Sequence, residues 1–278
     1  MSLVVSQQKA QRAIGEGAVA WSAREGRTAL TNLRQQGCAK IRLPKQHAKD
    51  AAPEGIFINS SGGMTGGDHL QWSVALEDGA SARITTQACE RVYRSIGGTA
   101  RADVTLKLGA GASLAWLPQE TILFDGGSLS RTIHVDMNAT ARLLMVEPLI
   151  FGRTAMGEDV ETGFFKDRWR ITQNDTLLHA EDLLLTGTDP LPMMQTLAKK
   201  FTADGNRALA TLVMVDPRGQ SFVEPLRAIM GQQGAAGWWN GKLVARIIAE
   251  DGYALRQVLV PALHLLSGDQ PLPRCWHL

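Results

Sequence analysis

Four acidic side chains stand out as the residues of this chain whose type and surroundings could do chemistry. They are Asp68 at the end of a glycine-rich loop, Glu90 before a Tyr-Arg pair, Glu147 at the end of an apolar strand, and Glu181. Carboxylate oxygens are ligands for divalent cations, and sites with few ligands and retained waters bind weakly. If these acids line a water-filled passage, they could therefore pass a divalent cation along without trapping it.

Glu147 is the most informative of the four, because apolar residues flank it on both sides. A carboxylate in such surroundings must be paired, hydrated or neutralised. One interpretation is a structural ion pair with an arginine such as Arg94 or Arg153. The other is a place on the wall of a polar passage, and the sequence leaves both open.

The usual catalytic sets are missing from the sequence. The six histidines show neither H-x-x-x-H nor H-x-H spacing, and no G-x-S-x-G motif occurs. A preformed zinc or nickel catalytic cage is therefore not indicated. Cys38, Cys89 and Cys275 are odd in number and contain no C-x-x-C pair, which argues against a zinc ribbon and a disulfide framework.

Two glycine pairs precede Asp68, in residues 61–68 (SGGMTGGD). A phosphate-binding glycine loop needs a helix after it, but an alternating strand-like run follows here. We therefore predict a loop between two strands, in which glycines adopt positive φ and bring the backbone close to the Asp68 carboxylate.

Several sequence blocks occur in one order along the chain. They are residues 62–68 (GGMTGGD), 85–95 (TTQACERVYRS), 116–120 (WLPQE), 147–158 (EPLIFGRTAMGE) and 272–276 (LPRCW). This order resembles the urease accessory protein UreD family, also called UreH. The chain departs from the family pattern at Ser60 and Ser61, where prolines are usual, at Gln87, where another proline is usual, and at Glu90 and Arg91, which replace a small residue and a lysine.

The resemblance implies an accessory protein rather than an enzyme. Family members bind apo-urease, recruit UreF and the GTPase UreG, and are proposed to conduct Ni²⁺ through an internal tunnel, so no tightly bound cofactor is expected. On this basis the candidate residues for transient Ni²⁺ binding are Asp68, Glu90, Glu147 and Glu181. The candidate partner-binding residues are Tyr93, Arg94, Arg274 and Trp276, with residues 271–278 as a tail that docks on UreF or folds onto its own core.

Two other classes of function remain open. Glu120, Asp125, Glu147 and Glu181 on a β scaffold could supply the carboxylate pair of a glycosidase-like hydrolase. The scattered aromatic residues do not favour a sugar-binding cleft. A protein-interaction scaffold without metal traffic is the third interpretation.

Length and composition favour one domain across all 278 residues, with residues 1–12 as a candidate disordered segment. A net charge of +2 with scattered Lys and Arg argues against nucleic acid and anionic membranes as partners. The N-terminal sequence shows no signal-peptide pattern, and a cytoplasmic location is expected.

The fold class predicted is mainly β, with stacked or curled antiparallel and mixed sheets. Period-two alternation predicts the strands, and turn sequences at residues 77–80, 108–111 and 136–139 predict hairpins. Helices are expected only in the C-terminal third, at residues 190–201, 224–230 and 253–266. Pro261 should end or kink the last of them.

Overall fold

The computed structural model describes residues 11–45, 52–153, 156–188, 191–199, 203–268 and 270–277, and it is mainly β, as predicted. Two sheets account for the described strands, which are numbered in chain order. Sheet 1 has the spatial order β14 (Thr176–Gly187), β13 (Gly163–Gln173), β11 (Ser128–Met137), β8 (Ala100–Leu108), β5 (His69–Leu76), β1 (Ile14–Arg24) and β2 (Arg27–Gly37). Sheet 2 has the order β16 (Gly234–Trp239), β17 (Lys242–Ala249), β15 (Ala208–Val215), β12 (Arg142–Phe151), β9 (Ser113–Trp116), β6 (Ser81–Thr86), β4 (Glu54–Asn59) and β3 (Ala39–Arg42). β10 (Thr121–Leu123) joins sheet 2 by pairing with both β12 and β7 (Glu90–Val92).

The chain winds between the two sheets instead of folding into hairpins through its middle. β5, β8 and β11 pair in parallel in sheet 1, while β6, β9 and β12 pair in parallel in sheet 2. The hairpin prediction for residues 77–80, 108–111 and 136–139 is therefore wrong. Each turn carries the chain across to the facing sheet, and a turn sequence encodes the reversal without encoding where the next strand pairs.

Alternation along the strands builds the core, because every second side chain points between the sheets. One apolar cluster fills the sandwich from Val19 and Trp21 to Met145 and Val213. A second cluster at the other end of the sandwich includes Leu123, Leu129, Leu149 and Phe165. The outer face of sheet 2 carries a third cluster, covered by helices.

The helices lie where the sequence predicts them, at α1 (Met193–Leu197), α2 (Val223–Met230) and α3 (Gly252–Ser267). α3 continues past Pro261, so of the two outcomes expected there, an end or a kink, the end is excluded. Proline removes one helical hydrogen bond, but Ala262, Leu263 and Leu266 remain buried against sheet 2 and hold the last turns in place. None of the described helices combines the length and apolar character needed to span a membrane.

The 116–120 segment fixes α3 and the C-terminal tail to sheet 2. Arg256 on α3 donates to both carboxylate oxygens of Glu120, at 2.7 and 3.1 Å. The indole N–H of Trp276 donates to the carbonyl oxygen of Leu117 at 3.0 Å, and the ring is 2% exposed. The described part of the tail thus folds onto its own core, as one of the two alternatives proposed.

The Trp276→Phe variant is expected to lower the free energy of unfolding by about 1–2 kcal/mol, because the Leu117 carbonyl loses its buried donor. Urea denaturation measures the change. Arg274→Ala, two positions earlier on an exposed side chain, should change stability by less than about 0.5 kcal/mol. Equal effects of the two substitutions would contradict the anchoring role of the indole.

Candidate functional site

Asp68 shapes the glycine loop, which connects β4 to β5 as predicted. Its carboxylate accepts hydrogen bonds from the backbone N–H groups of Ala13 and Thr65, both at 2.8 Å. Gly62 and Gly67 adopt φ of 82° and 90°, conformations that disfavour other residues. Asp68 is therefore a buried carboxylate that organises backbone, with its charge close to Glu90.

Glu90 lies on β7 and accepts a hydrogen bond from the side-chain amide of Asn59 at 3.1 Å. Burial raises the pKa of Glu90 to about 7 and the nearby charge of Asp68 adds to the rise, whereas the bond from Asn59 opposes it. Glu90 can therefore gain or lose a proton near neutral pH, which is a property of many functional carboxylates.

The raised pKa of Glu90 predicts a pH-dependent stability. The unfolded chain releases this proton near pH 4.5 and the folded protein near pH 7, so the folded state binds more protons between these values. The Glu90 contribution to stability should therefore fall by about 3 kcal/mol as the pH rises from about 4.5 to about 7. Urea denaturation at pH 5 and pH 8 should show a smaller pH dependence for Glu90→Gln than for the unmodified protein. The control Glu16→Gln, at a side chain that is 42% exposed, should leave the pH dependence unchanged. An equally unchanged pH dependence in Glu90→Gln would contradict the assignment.

Glu147 forms part of a buried ion-paired triad with Arg131 and Asp167. The Arg131 guanidinium contacts Glu147 and donates two hydrogen bonds to Asp167, at 2.9 and 2.5 Å. The indole N–H of Trp116 donates to the other oxygen of Glu147 at 2.7 Å. Glu147 is thus ion-paired, though with neither of the arginines suggested from the sequence.

Those two arginines pair elsewhere on the surface. Arg94 contacts Asp125, and Arg153 donates to both oxygens of Glu158 at 2.8 and 3.0 Å. The ion pair with an arginine is present, but the two arginines named as examples are wrong, because the partner that reaches Glu147 comes from the facing sheet.

The triad places two carboxylates against one guanidinium, so it carries one net negative charge when both acids are ionised. Burial raises the pKa of Glu147; Arg131 opposes the rise, and the charge of Asp167 adds to it. The two carboxylates hold the pKa of Arg131 above its usual value although burial acts against its charge. The arginine therefore stays charged, and the remaining negative charge favours a proton or another cation nearby.

Glu181 lies on β14, an edge strand of sheet 1, and pairs with Arg246 of β17. Both residues line two neighbouring cavities. The inner cavity, of 40 Å³, also contacts Glu147, Arg131 and Asp167, and it has room for about three water molecules. The outer cavity, of 590 Å³, is lined by residues that include His179 and Lys242. Glu147 and Glu181 thus share one cavity, and the Glu181–Arg246 pair lines both this cavity and the outer one.

Polar residues cross the sandwich between the two apolar clusters that lie between the sheets. On β11, β12, β13 and β15 the inward-facing residue between those clusters is Arg131, Glu147, Asp167 and Thr211, respectively. We call the polar layer the set Glu90, Thr121, Arg131, Glu147, Asp167, Thr211, Glu181 and Arg246.

Strand register and contacts connect the members of this layer. Glu90 is paired in register with Thr121, and Thr121 accepts a hydrogen bond from Arg131 at 3.3 Å. On the other side, Glu147 is in register with Thr211, which is in register with Arg246. The layer therefore extends from β7 to β14, an edge strand of sheet 1, and β17 in sheet 2.

Comparison with known proteins identifies the family. The model of the UreD urease accessory protein family matches residues 13–277. The urease accessory protein UreD of Agrobacterium fabrum is 45% identical over 268 residues, which cover 96% of this chain and 92% of that protein. UreD 1 of Brucella abortus is 47% identical over 270 residues, covering 96% and 94% of the two chains. UreD of Rhizobium leguminosarum is 42% identical over 279 residues and 100% of both chains.

The chain belongs to the UreD urease accessory protein family. The resemblance inferred from the ordered sequence blocks is thereby confirmed. Membership of this family also identifies the chain as an accessory protein.

The four acids chosen for this UreD-family chain do not converge on one point. Asp68 and Glu90 interact near the glycine loop, whereas Glu147 and Glu181 share the inner cavity. Within the described residues, no group of three or more His, Cys, Asp or Glu is arranged to hold a metal ion. Nickel binding by these four residues stays a prediction.

The residues chosen for partner binding have different environments. Tyr93 is 38% exposed and its ring contacts that of Phe124, and the Arg94 side chain lies largely in solvent. Arg274 is also exposed. Trp276 is buried, so its indole does not lie on the surface in this conformation. Partner binding by Tyr93, Arg94 and Arg274 stays a prediction.

Two of the acids considered for a hydrolase, Glu120 and Asp125, lie apart from the cavity that Glu147 and Glu181 share, and both are paired with arginines. Glu120 binds Arg256 on the outer side of sheet 2, and Asp125 contacts Arg94. Asp125 also accepts hydrogen bonds from the backbone N–H groups of Glu161 and Thr162, at 3.1 and 2.9 Å. These contacts give both acids a role in holding the structure together.

Sequence reasoning missed Arg131, Asp167, Thr211 and Arg246. The sequence nevertheless contains a signal for two of them. Arg131 lies on the same face of its strand as Leu129 and Ile133. Asp167 likewise lies on the same face as Phe165 and Trp169. A charged residue on the apolar face of a strand has to find a buried partner. Two such residues of opposite charge on neighbouring strands predict an ion pair.

Proposed function

We propose that this chain is a urease maturation factor that binds apo-urease, recruits UreF and UreG, and conducts Ni²⁺ toward the urease active site. Membership of the UreD family supports the accessory role. The polar layer is the single observation that carries the conduction step. It would take an ion through the interior of the sandwich without chemical change to the ion.

The charge of the layer suits a passing cation. The triad has one more carboxylate than guanidinium, and it borders a cavity with room for water. The surplus negative charge would stabilise a hydrated divalent ion near Glu147. Because the ion would have only a few protein ligands, its binding would be weak. Weak binding at successive positions is what passage requires.

Two positions along the layer would bind the ion in turn. Glu181 is held by Arg246, so an ion that binds Glu181 must displace this guanidinium. Glu90 can lose its proton near pH 7, which would give the other end of the layer a carboxylate for the ion. Asp68 would add negative charge beside Glu90.

Reconstitution of urease activation from purified components tests the proposal as a whole. Apo-urease, UreF, UreG, GTP, Ni²⁺ and bicarbonate would be combined with or without this chain. Urease activity should require the chain, and apo-urease and UreF should co-purify with it. Equal activation in its absence would remove the proposed function.

A scaffold without metal traffic is the second candidate function. The observation that favours it is that both Glu147 and Glu181 are ion-paired with arginines, and that the cavity they share measures only 40 Å³. A scaffold would keep its activity when the charges of the polar layer are removed. Conduction requires those charges, so variants of the layer distinguish the two.

A further inference from the structure

A separate cavity of 290 Å³ lies on the outer face of sheet 2, between the beginnings of three parallel strands and the C-terminal end of α3. Ser81, Ser113 and Arg142 are paired in register across β6, β9 and β12. Their neighbours Ala82, Leu114 and Leu143 point into the core between the sheets. Ser113 and Arg142 therefore project from the opposite face, into this cavity. Ser81 also lines it, with its hydroxyl 3.5 Å from that of Thr28 on β2.

Positive charge dominates the lining. Arg83, Arg142 and Arg218 contribute three guanidinium groups, and Asp216 contributes the only carboxylate among the lining residues. Arg218 donates to both oxygens of Asp216, at 3.0 and 2.8 Å, and Glu54 lies 3.8 Å from Arg83. Among the described residues, no ion pair is formed by Arg142 within 4 Å. The surplus of guanidinium groups outweighs the partial negative charge, about half a unit, at the end of α3.

Two buried polar atoms at this cavity lack hydrogen-bond partners among the described residues. They are Nε of Arg83 and Oγ of Ser267. Burial lowers the pKa of the Arg83 guanidinium, and the charge of Glu54 opposes this shift. A buried donor without an acceptor is costly, and more so on a charged group. An oxygen-rich anion in the cavity would supply the missing negative charge, and a turn of either side chain toward the cavity would let the anion accept from these atoms.

We propose that this arginine pocket, formed by Ser81, Arg83, Ser113, Arg142, Arg218 and Ser267, binds a small molecule that carries a phosphate or carboxylate group. Guanidinium groups match both anions in geometry and charge. The volume is close to the lower end of small-molecule sites, which are roughly 300–1,000 Å³, so it fits a compact ligand. The pocket lies on the face of sheet 2 opposite the polar layer, and its function does not depend on nickel conduction.

Thermal denaturation and calorimetric titration with inorganic phosphate, succinate and sodium chloride at matched ionic strength test the proposal. Phosphate, succinate or both should raise the melting temperature and bind with saturation, while chloride should do neither. Binding of phosphate alone assigns a phosphate-bearing ligand, and binding of succinate alone assigns a carboxylate-bearing one. No saturable binding of either anion would overturn the proposal.

Three variants locate the binding. Arg142→Gln should weaken the affinity by about tenfold or more, since a charge-assisted contact is lost. Arg91→Gln makes the same charge change on an exposed residue of β7 and should leave the affinity unchanged. Ser267→Ala removes a buried hydroxyl that has no partner, so it should weaken anion binding without destabilising the anion-free protein. Equal affinities in Arg142→Gln, Ser267→Ala and Arg91→Gln would contradict the pocket.

Discussion

The Arg131→Gln variant is expected to lose about 3–5 kcal/mol of unfolding free energy at pH 7, because Glu147 and Asp167 would remain buried without a counter-charge. Arg131 is 6% exposed and Glu147 is 4% exposed, so the few water molecules that fit in the inner cavity would compensate the lost guanidinium only in part. The loss should be smaller at pH 5, since protonation of a carboxylate relieves the uncompensated charge. Urea denaturation at both pH values measures the change.

Two controls separate the triad from ordinary charge effects. Arg34→Gln breaks an exposed pair with Glu16 and should cost at most about 1 kcal/mol. The neutral triad variant combines Arg131→Met, Glu147→Gln and Asp167→Val, and it should regain most of the lost stability because no buried charge remains. Gln at position 147 keeps an acceptor for the Trp116 indole. A loss below about 1 kcal/mol in Arg131→Gln would contradict the burial of the triad.

The Glu147→Gln variant is expected to reduce the rate of urease activation by about tenfold or more. The substitution keeps the size of the side chain but removes the surplus negative charge beside the inner cavity. A tenfold slower rate requires the loss of only about 1.4 kcal/mol of favourable interaction between the protein and the passing ion. The interaction between two charges in buried surroundings is larger than this. The rate of appearance of urease activity in the reconstituted system measures the effect.

The matched control is Glu158→Gln, which makes the same chemical change in a surface pair with Arg153. It should leave the activation rate unchanged. Co-purification with apo-urease and UreF should be the same for both variants, so that a slower rate reports on the ion and not on assembly. Activation by Glu147→Gln at the rate of the control would favour the scaffold function.

Local features of this fold could be predicted from the sequence because neighbouring residues determine them. Alternation placed the strands, and the glycines before Asp68 predicted a loop of positive φ around its carboxylate. The stripe along residues 253–266 predicted α3. In each case the pattern and the interaction that it reflects lie within a few residues of one another.

Long-range pairing could not be predicted in the same way. The turns at residues 77–80 and 108–111 predicted reversals, but whether the next strand pairs with its predecessor or crosses to the facing sheet depends on the whole core. The partner of Glu147 illustrates the same limit. Arg94 and Arg153 were candidates by motif, whereas Arg131 reaches Glu147 because two sheets face each other.

Burial in the folded structure also decides between alternative roles of a residue that the sequence leaves open. Trp276 near the C-terminus matched both a docking anchor and a core residue, and its indole lies in the core against Leu117. Arg131 and Asp167, by contrast, carried a usable pattern, since each interrupts the apolar face of an alternating strand. Charged residues at positions that otherwise form the apolar face of a strand therefore predict the triad.

Nickel delivery by the neutral triad variant tests the central claim most directly. Complexes that contain this variant or the unmodified chain would be incubated with Ni²⁺, GTP, bicarbonate and apo-urease, and the nickel content of the isolated urease would be measured by mass spectrometry. Conduction along the polar layer predicts that the variant folds and assembles normally but delivers nickel about tenfold more slowly or worse. Nickel delivery at the unmodified rate by the folded, assembled variant would contradict it.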